Sequence, residues 1–375
     1  MKLNFHAVAA FSISLCVCAI GTHVLAATAP EPTLTRIQKE SEARGYTFFS
    51  DREQIVAGAK KEGQLRVLSA LDAFQELRKA FLQQYPFIDL RVEDVKGSDA
   101  PQKFILELKA GAAASQWDVF DVAPELYQEF LPYIKKLDIL AMANYGVLQI
   151  PARMVDPKNR DIVSVASALH VLAYNKNLLA ADRVPKMWED FLGAEFKGKK
   201  FMVDLRPLGF AAMAAGLGEE WMMNYARKIK DQEPIWIRGQ TRSVTAIAAG
   251  EQSLLHLAYY NACMKAKVKD VSKSLECKVI EPVPVRIGDM IAINSTAPHP
   301  HAGLLWLEFQ ASPRGQSIID RFFNSSIYAP GSEAAKIVGG KKVSVNDWET
   351  FHNTERWMEM TLKAFGLPKA DAVNQ

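Results

Sequence analysis

Between residues 51 and 122 the chain alternates short apolar runs with amphipathic runs of helical length, and this restricts its architecture more than any other feature. Asp51 is a predicted N-cap for a helix that Gly63 ends. A strand is expected at 65–69, then a helix over 74–85 stopped by Pro86, then a second strand at 88–92. A helix over 101–111, with apolar residues at 104, 105 and 108, leads to a third strand at 117–122. Strands separated by helices of this length predict an α/β fold with a parallel sheet. Ligands of such sheets bind beyond the carboxyl ends of the strands, which places Ser69 to Asp72 and Ala123 to Glu125 at the mouth of a cleft.

A second block begins near Ser164. It contains expected strands at 168–176, 201–203, 235–237 and 253–257, with a short helix at 187–192 and longer ones over 209–216, 219–230 and 241–249. Extended segments at 280–285 and 290–293 then lead back, and the helices after Pro298 are expected to pack on the first block. Two lobes follow, residues 51–163 with 289–375 and residues 164–288, joined by two crossover strands. A surface helix is expected over 35–44.

Met1-Lys2, an uncharged apolar run over 7–20 and the small residues around Ala26 predict a secretory signal over residues 1–26, cleaved after Ala26 or Ala27. Val17 before Cys18 argues against a lipoprotein site. The mature protein is expected to be soluble and periplasmic, and its roughly 349 residues exceed one comfortable core. A net charge of +3 without a basic cluster excludes a nucleic-acid partner. Cys16 and Cys18 leave with the signal. Cys263 and Cys277 remain, and an oxidising compartment makes one disulfide the expectation. Two free thiols or half a metal site are the alternatives, and no His or Cys pair lies nearby at metal-ligand spacing.

Arg206 follows the strand at 201–203, and Gly209 opens the next helix. Arg238, Thr241 and Arg242 likewise lie where a strand meets a helix start, in Arg238-Gly239-Gln240-Thr241-Arg242-Ser243. Free helix amides beside an Arg suit a carboxylate or phosphate. The plainer alternatives are solvated Arg side chains, with Thr241 and Ser243 as N-caps. Asp72 and Glu125 either contact ligand or cap helices. Trp188 is expected in the core, and Trp236 in the core or a pocket wall. His299 and His301 are expected to be structural. No G-x-S-x-G elbow, H-E-x-x-H pair or P-loop occurs, so the chain is not expected to be an enzyme.

Several segments keep a common order. Trp117-Asp118-Val119-Phe120 precedes Leu172-Ala173-Tyr174-Asn175-Lys176, and Pro185-Lys186-Met187-Trp188-Glu189-Asp190-Phe191 precedes Phe196-Lys197-Gly198-Lys199. Ala249-Gly250-Glu251 comes shortly before Tyr259-Tyr260, and the Pro-bounded segment 297–316 closes the set. From about residue 63 to 325 this arrangement resembles the periplasmic iron(III)/organic-anion solute-binding proteins of ABC importers. The resemblance implies a type 2 periplasmic-binding-protein clamshell, monomeric and without a cofactor, that closes on a small solute and delivers it to an inner-membrane permease. It implies an anionic solute: an organic acid, a phosphorylated compound or an anion-chelated metal. In the ferric branch a Tyr pair supplies phenolate ligands, so Tyr259 and Tyr260 are candidates for Fe3+ as cargo. The rest of a ferric set fits poorly, because Ser69-Ala70-Leu71-Asp72 stands where a His is wanted and Ala123-Pro124 shifts Glu125. A periplasmic sensor subunit is the alternative.

Overall fold

The computed structural model describes residues 30–95, 100–111 and 116–367, leaving out the side chain of Glu125. The expected signal segment lies outside the described residues. Ten strands form one mixed sheet: β1 Gln64–Ser69, β2 Asp89–Asp94, β3 Val119–Val122, β4 Ile162–Asn175, β5 Met202–Asp204, β6 Ile235–Ile237, β7 Leu254–Tyr259, β8 Leu275–Lys278, β9 Val283–Ile293 and β10 Val343–Asn346. Their order is β2-β1-β3-β9-β4-β7-β5-β6, with β10 on β9 and β8 on β4. The three strands expected before residue 123 pair in parallel as β2-β1-β3, and β5 pairs parallel with both β6 and β7.

The two long strands make this a two-lobe molecule. The first half of β4 pairs antiparallel with β9, from Ile162 opposite Ala292 to Leu169 opposite Val285. Its second half, from His170 onward, pairs with β7 and β8. Each side has its own core. Leu65, Val67, Phe81, Val163, Trp306 and Phe309 pack in one. Trp188, Phe191, Phe201, Phe210, Met222 and Leu254 pack in the other.

Local chemistry sets the element boundaries. Asp51 caps the helix Arg52–Glu62 by accepting the Glu53 N–H at 2.8 Å, and Gly63 ends it at φ 66°, a left-handed conformation that costs glycine little. The helix Pro300–Ala311 is buried along most of its length, including Glu308. Glu308 accepts from Arg52 Nη2 at 2.7 Å and from the Gln149 N–H at 2.8 Å, which offsets the cost of burying its charge. His299 and His301 face carboxylates, with Nδ1 3.0 Å from Asp118 Oδ2 and 2.6 Å from Glu62 Oε1.

Four elements differ from expectation. The helix expected at 187–192 is a 3₁₀ turn, Trp188–Leu192. The two extended segments after 280 are a single strand, β9, although Pro284 lies within it. The helix Glu31–Ala43 is not purely a surface element, because Leu34 and Ile37 enter the first core. The helix Thr354–Ala364 does not pack with the first lobe, where residues 289–375 are expected. It lies on the helices Leu208–Leu217 and Glu219–Asp231. Its Trp357 and Leu362, with the following Phe365, join the second core, and Trp357 Nε1 donates to Glu219 Oε1 at 2.9 Å.

A disulfide joins Cys263 to Cys277, tying the helix Tyr260–Lys269 to β8. Trp188 is fully buried, and Trp236 packs 4.6 Å from the Phe365 ring. No helix among the described residues is long and apolar enough to cross a membrane.

Candidate functional site

The ends of β1 and β3 face the loops that follow β5, β6 and β7, with β4 and β9 running between them. Side chains of the described residues meet across the gap. The Asp72 carboxylate, just past β1, pairs with the Lys265 ammonium on the helix Tyr260–Lys269. The Tyr260 ring meets Phe323 edge-on at 6.3 Å.

On the second-lobe side three loops are bound together. The N–H of Arg206 donates to Asp204 Oδ1 at 2.9 Å, and Gln240 Nε2 donates to Asp204 Oδ2 at 2.8 Å. Gln240 Oε1 accepts the Tyr259 N–H at 3.1 Å. Burial raises the Asp204 carboxyl above its usual range, and these donors hold it back. Arg206, Gln240 and Tyr259 line a small pocket with His170 at its base. His170 is fully buried, and its Nδ1 is 3.2 Å from the Leu257 carbonyl. A carbonyl accepts, so Nδ1 carries the proton and Nε2 is a lone pair without a partner among the described residues. Burial, chiefly, holds its pKa down to about 3. The close approach requires Gly209, where a Cβ would fall 3.0 Å from His170 Nδ1.

Two helices start at this pocket, Leu208–Leu217 after Pro207 and Gln240–Ala248 after Gly239, and neither cap residue bonds its helix through a side chain. Thr241 and Ser243 are therefore not the N-caps. Ser243 Oγ donates to the Gly239 carbonyl at 2.8 Å, and the exposed Thr241 sits at the second helical position. The amides at both helix starts thus retain capacity for an acceptor.

On the first-lobe side a cavity of ≈ 220 Å³ opens at the ends of β1 and β3, lined by Leu68, Ala70, Phe104, Phe120, Asp121 and Asp289 among others. Asp121 Oδ2 accepts the Ala70 N–H. Burial pushes the Asp121 carboxyl well above the usual range, and the charge of Asp289 adds to it. Burial also raises Asp289, while Arg286 and the Asn324 amide, donating at 2.6 Å, oppose the shift. Arg286 also depresses His170, so it links the two sides electrostatically from β9.

The structure thus brings Tyr259 and Arg206 together. Tyr260 points elsewhere: it is half-buried beside Phe323 and against the cluster of Leu169, Val283, Val285 and Ala334, and burial raises its phenol, with Glu333 and Asp320 adding to the effect. The two adjacent tyrosines stand in different surroundings. Arg238 acts on Asp204 through its charge, whereas the exposed Arg242 does not line the pocket. Ser69 Oγ accepts the Leu71 N–H at 3.2 Å, a local turn contact. Glu125 lies in the 3₁₀ turn Pro124–Leu126. Sequence reasoning missed His170, Asp204, Gln240, Asp121, Asp289 and Arg286. Five lie in strands, where alternation reveals a face but not the cleft that the face borders, and Gln240 opens a helix.

Residues 76–339 match the family model described as bacterial extracellular solute-binding protein. The chain belongs to the bacterial extracellular solute-binding proteins. Solved structures share the fold at low identity. The iron- and citrate-bound IdiA/FutA of Trichodesmium is 18% identical with a TM-score of 0.64, covering 82% of this chain and 100% of its own. The ferric iron-binding protein A of Mannheimia haemolytica, in an open conformation, is 17% identical with a TM-score of 0.64, covering 80% and 98%. An ABC-transporter substrate-binding protein from Agrobacterium tumefaciens is 16% identical with a TM-score of 0.60, covering 80% and 95%. No curated protein matches in sequence. Membership makes the chain a binding protein of the extracellular or periplasmic space rather than an enzyme, and the clamshell fold implied by the resemblance is the fold found.

Proposed function

We propose that this is the solute-capturing component of an ABC importer, holding a small solute with an acidic group between two lobes and handing it to a membrane permease. The observation that carries this is the second-lobe pocket, where two helix starts without side-chain caps, Arg206 and the Tyr259 ring share one opening. Amides and a guanidinium suit a carboxylate or phosphate, and the buried His170 adds a neutral wall. The proposed lobes are residues 30–163 with 289–342, and residues 164–288 with 343–367. They are proposed to work as a monomer, exported by the signal over residues 1–26.

A fluorescence or thermal-shift screen of organic acids, phosphorylated compounds and iron(III) chelates tests this. At least one class should raise the melting temperature and change tryptophan emission. No response across the set would count against the proposal. The ferric alternative retains one phenol, Tyr259, in the pocket. Among the described residues no group of three or more His, Cys, Asp or Glu side chains is placed to hold a metal ion. A visible phenolate-to-iron band on iron loading, abolished in Tyr259→Phe, would favour iron as cargo.

A further inference from the structure

We propose that the first-lobe wall of the cleft binds a protonated amine of the solute, carried on a hydrocarbon stem, between Asp121 and Asp289. This rests on the solute-capture function above and specifies the other end of the solute.

Both carboxyls are fixed in place without a Lys or Arg partner. In the β3–β9 ladder Asp121 stands opposite Ile291 and Val122 opposite Met290, so Asp289 lies just beyond the same end. Asp121 is held through Oδ2 by the Ala70 N–H, and Asp289 through Oδ2 by the Asn324 amide. Asp121 Oδ1 is closed off and has no hydrogen-bond partner among the described residues. Buried acceptors are rarely left unpaired, and those that are tend to await a ligand, ion or water. Asp289 has φ 43°, a left-handed conformation that a non-glycine residue holds at a cost and that clusters at functional sites. Neither side chain forms an ion pair with Lys or Arg among the described residues. Arg286 and Lys265 act on Asp289 through their charge, but no cation offsets Asp121. Two desolvated carboxyls side by side cannot both ionise in the empty site and so hold a proton, which an entering cation can replace.

The remaining wall selects the kind of cation. Leu68, Phe104, Phe120 and Met290 present hydrocarbon rather than further oxygen donors, which suits an alkyl or aryl ammonium better than a bare metal ion. At ≈ 220 Å³ the cavity is smaller than the roughly 300–1,000 Å³ typical of drug-sized ligands, so it fits one end of a small molecule. The acceptor-binding helix starts across the cleft leave the opposite end free to be acidic.

Calorimetric titration of the mature protein with butylamine, γ-aminobutyrate, butyrate and butanol tests this. The two amines should bind more tightly than their amine-free counterparts. In Asp121→Asn, amine binding should weaken by roughly tenfold or more, as when one partner of a desolvated charge pair is neutralised, while butyrate binding is unchanged. Asp289→Asn provides a second variant, and thermal melts verify that both fold. Butyrate binding as tightly as γ-aminobutyrate, amine binding insensitive to both variants, or no binding of either amine would each overturn the proposal. The first two outcomes would leave solute capture through the second-lobe pocket standing. Failure of every anion in the wider screen would instead count against the function itself.

Discussion

Asp121 and His170 show how single residues carry the cost of the site. The Asp121 carboxyl is raised above its unfolded value, so the folded state retains a proton that the unfolded chain releases. Folding is therefore penalised once pH exceeds both values, and the penalty fades as pH falls toward the ordinary carboxylate range. Asp121→Asn keeps an acceptor for the Ala70 N–H and removes the charge. It should melt at a higher temperature than the wild type at pH 8, with the difference shrinking by pH 4. His170 and His256 behave in the opposite sense. Both are held down to about 3 by burial, whereas the unfolded imidazoles titrate near 6.5. The stability they confer is present above pH 6.5 and is lost as pH falls toward 3. Urea titrations should show uptake of about two protons on unfolding within that window, and His256→Phe should remove about half of it. None of this is legible in the sequence. His256 reads as one position of a strand, and its burial depends on Trp188, Phe191 and Phe201 closing around the ring from distant segments.

At the scale of elements, local signals served well where they were local. Asp51, Gly63 and Pro86 bound their elements as capping and ring chemistry require, and the parallel pairing of the first three strands, though not their order, follows from their alternation with helices. What failed was information that lives in pairing. Strand β8 was overlooked because it is short and gains its place from β4 on one side and the Cys263–Cys277 bridge behind it. Pro284 did not break β9, because the strand is sustained by pairing with β4 and β10. The bridge closes a loop whose entropy is worth about 3 kcal/mol, so reduction or Cys263→Ser should lower stability by about that amount in urea unfolding. It should also loosen the helix that begins at Tyr260 and carries Lys265. Glu308→Ala would leave the partly exposed Arg52 and the Gln149 N–H without their acceptor, and should cost about 1–2 kcal/mol.

For the whole molecule, the two long shared strands β4 and β9, a third crossing before Thr354–Ala364 and two cores make a hinge the natural mode of motion. Among the described residues, a partly exposed ion pair and an aromatic edge span the cleft, and Tyr260 and Val279 also pack with Ile327, Ala334 and Ile337 around Val283 and Val285. Exposed pairs contribute about 0–1 kcal/mol, so Asp72–Lys265 biases the lobes toward each other without locking them. Lys265→Ala should raise the radius of gyration of the unliganded protein in small-angle X-ray scattering, and saturating ligand should restore compactness. The two-lobe plan was legible from the strand order. The placement of the helix Thr354–Ala364 on the second core was not, because it depends on long-range packing of Trp357, Leu362 and Phe365. The most direct test of the central claim is native mass spectrometry of the protein purified gently from its own host. Capture of a small solute predicts a single non-covalent adduct, released on denaturation and carrying both an acidic group and a basic nitrogen. The mass of the bare chain alone would contradict it.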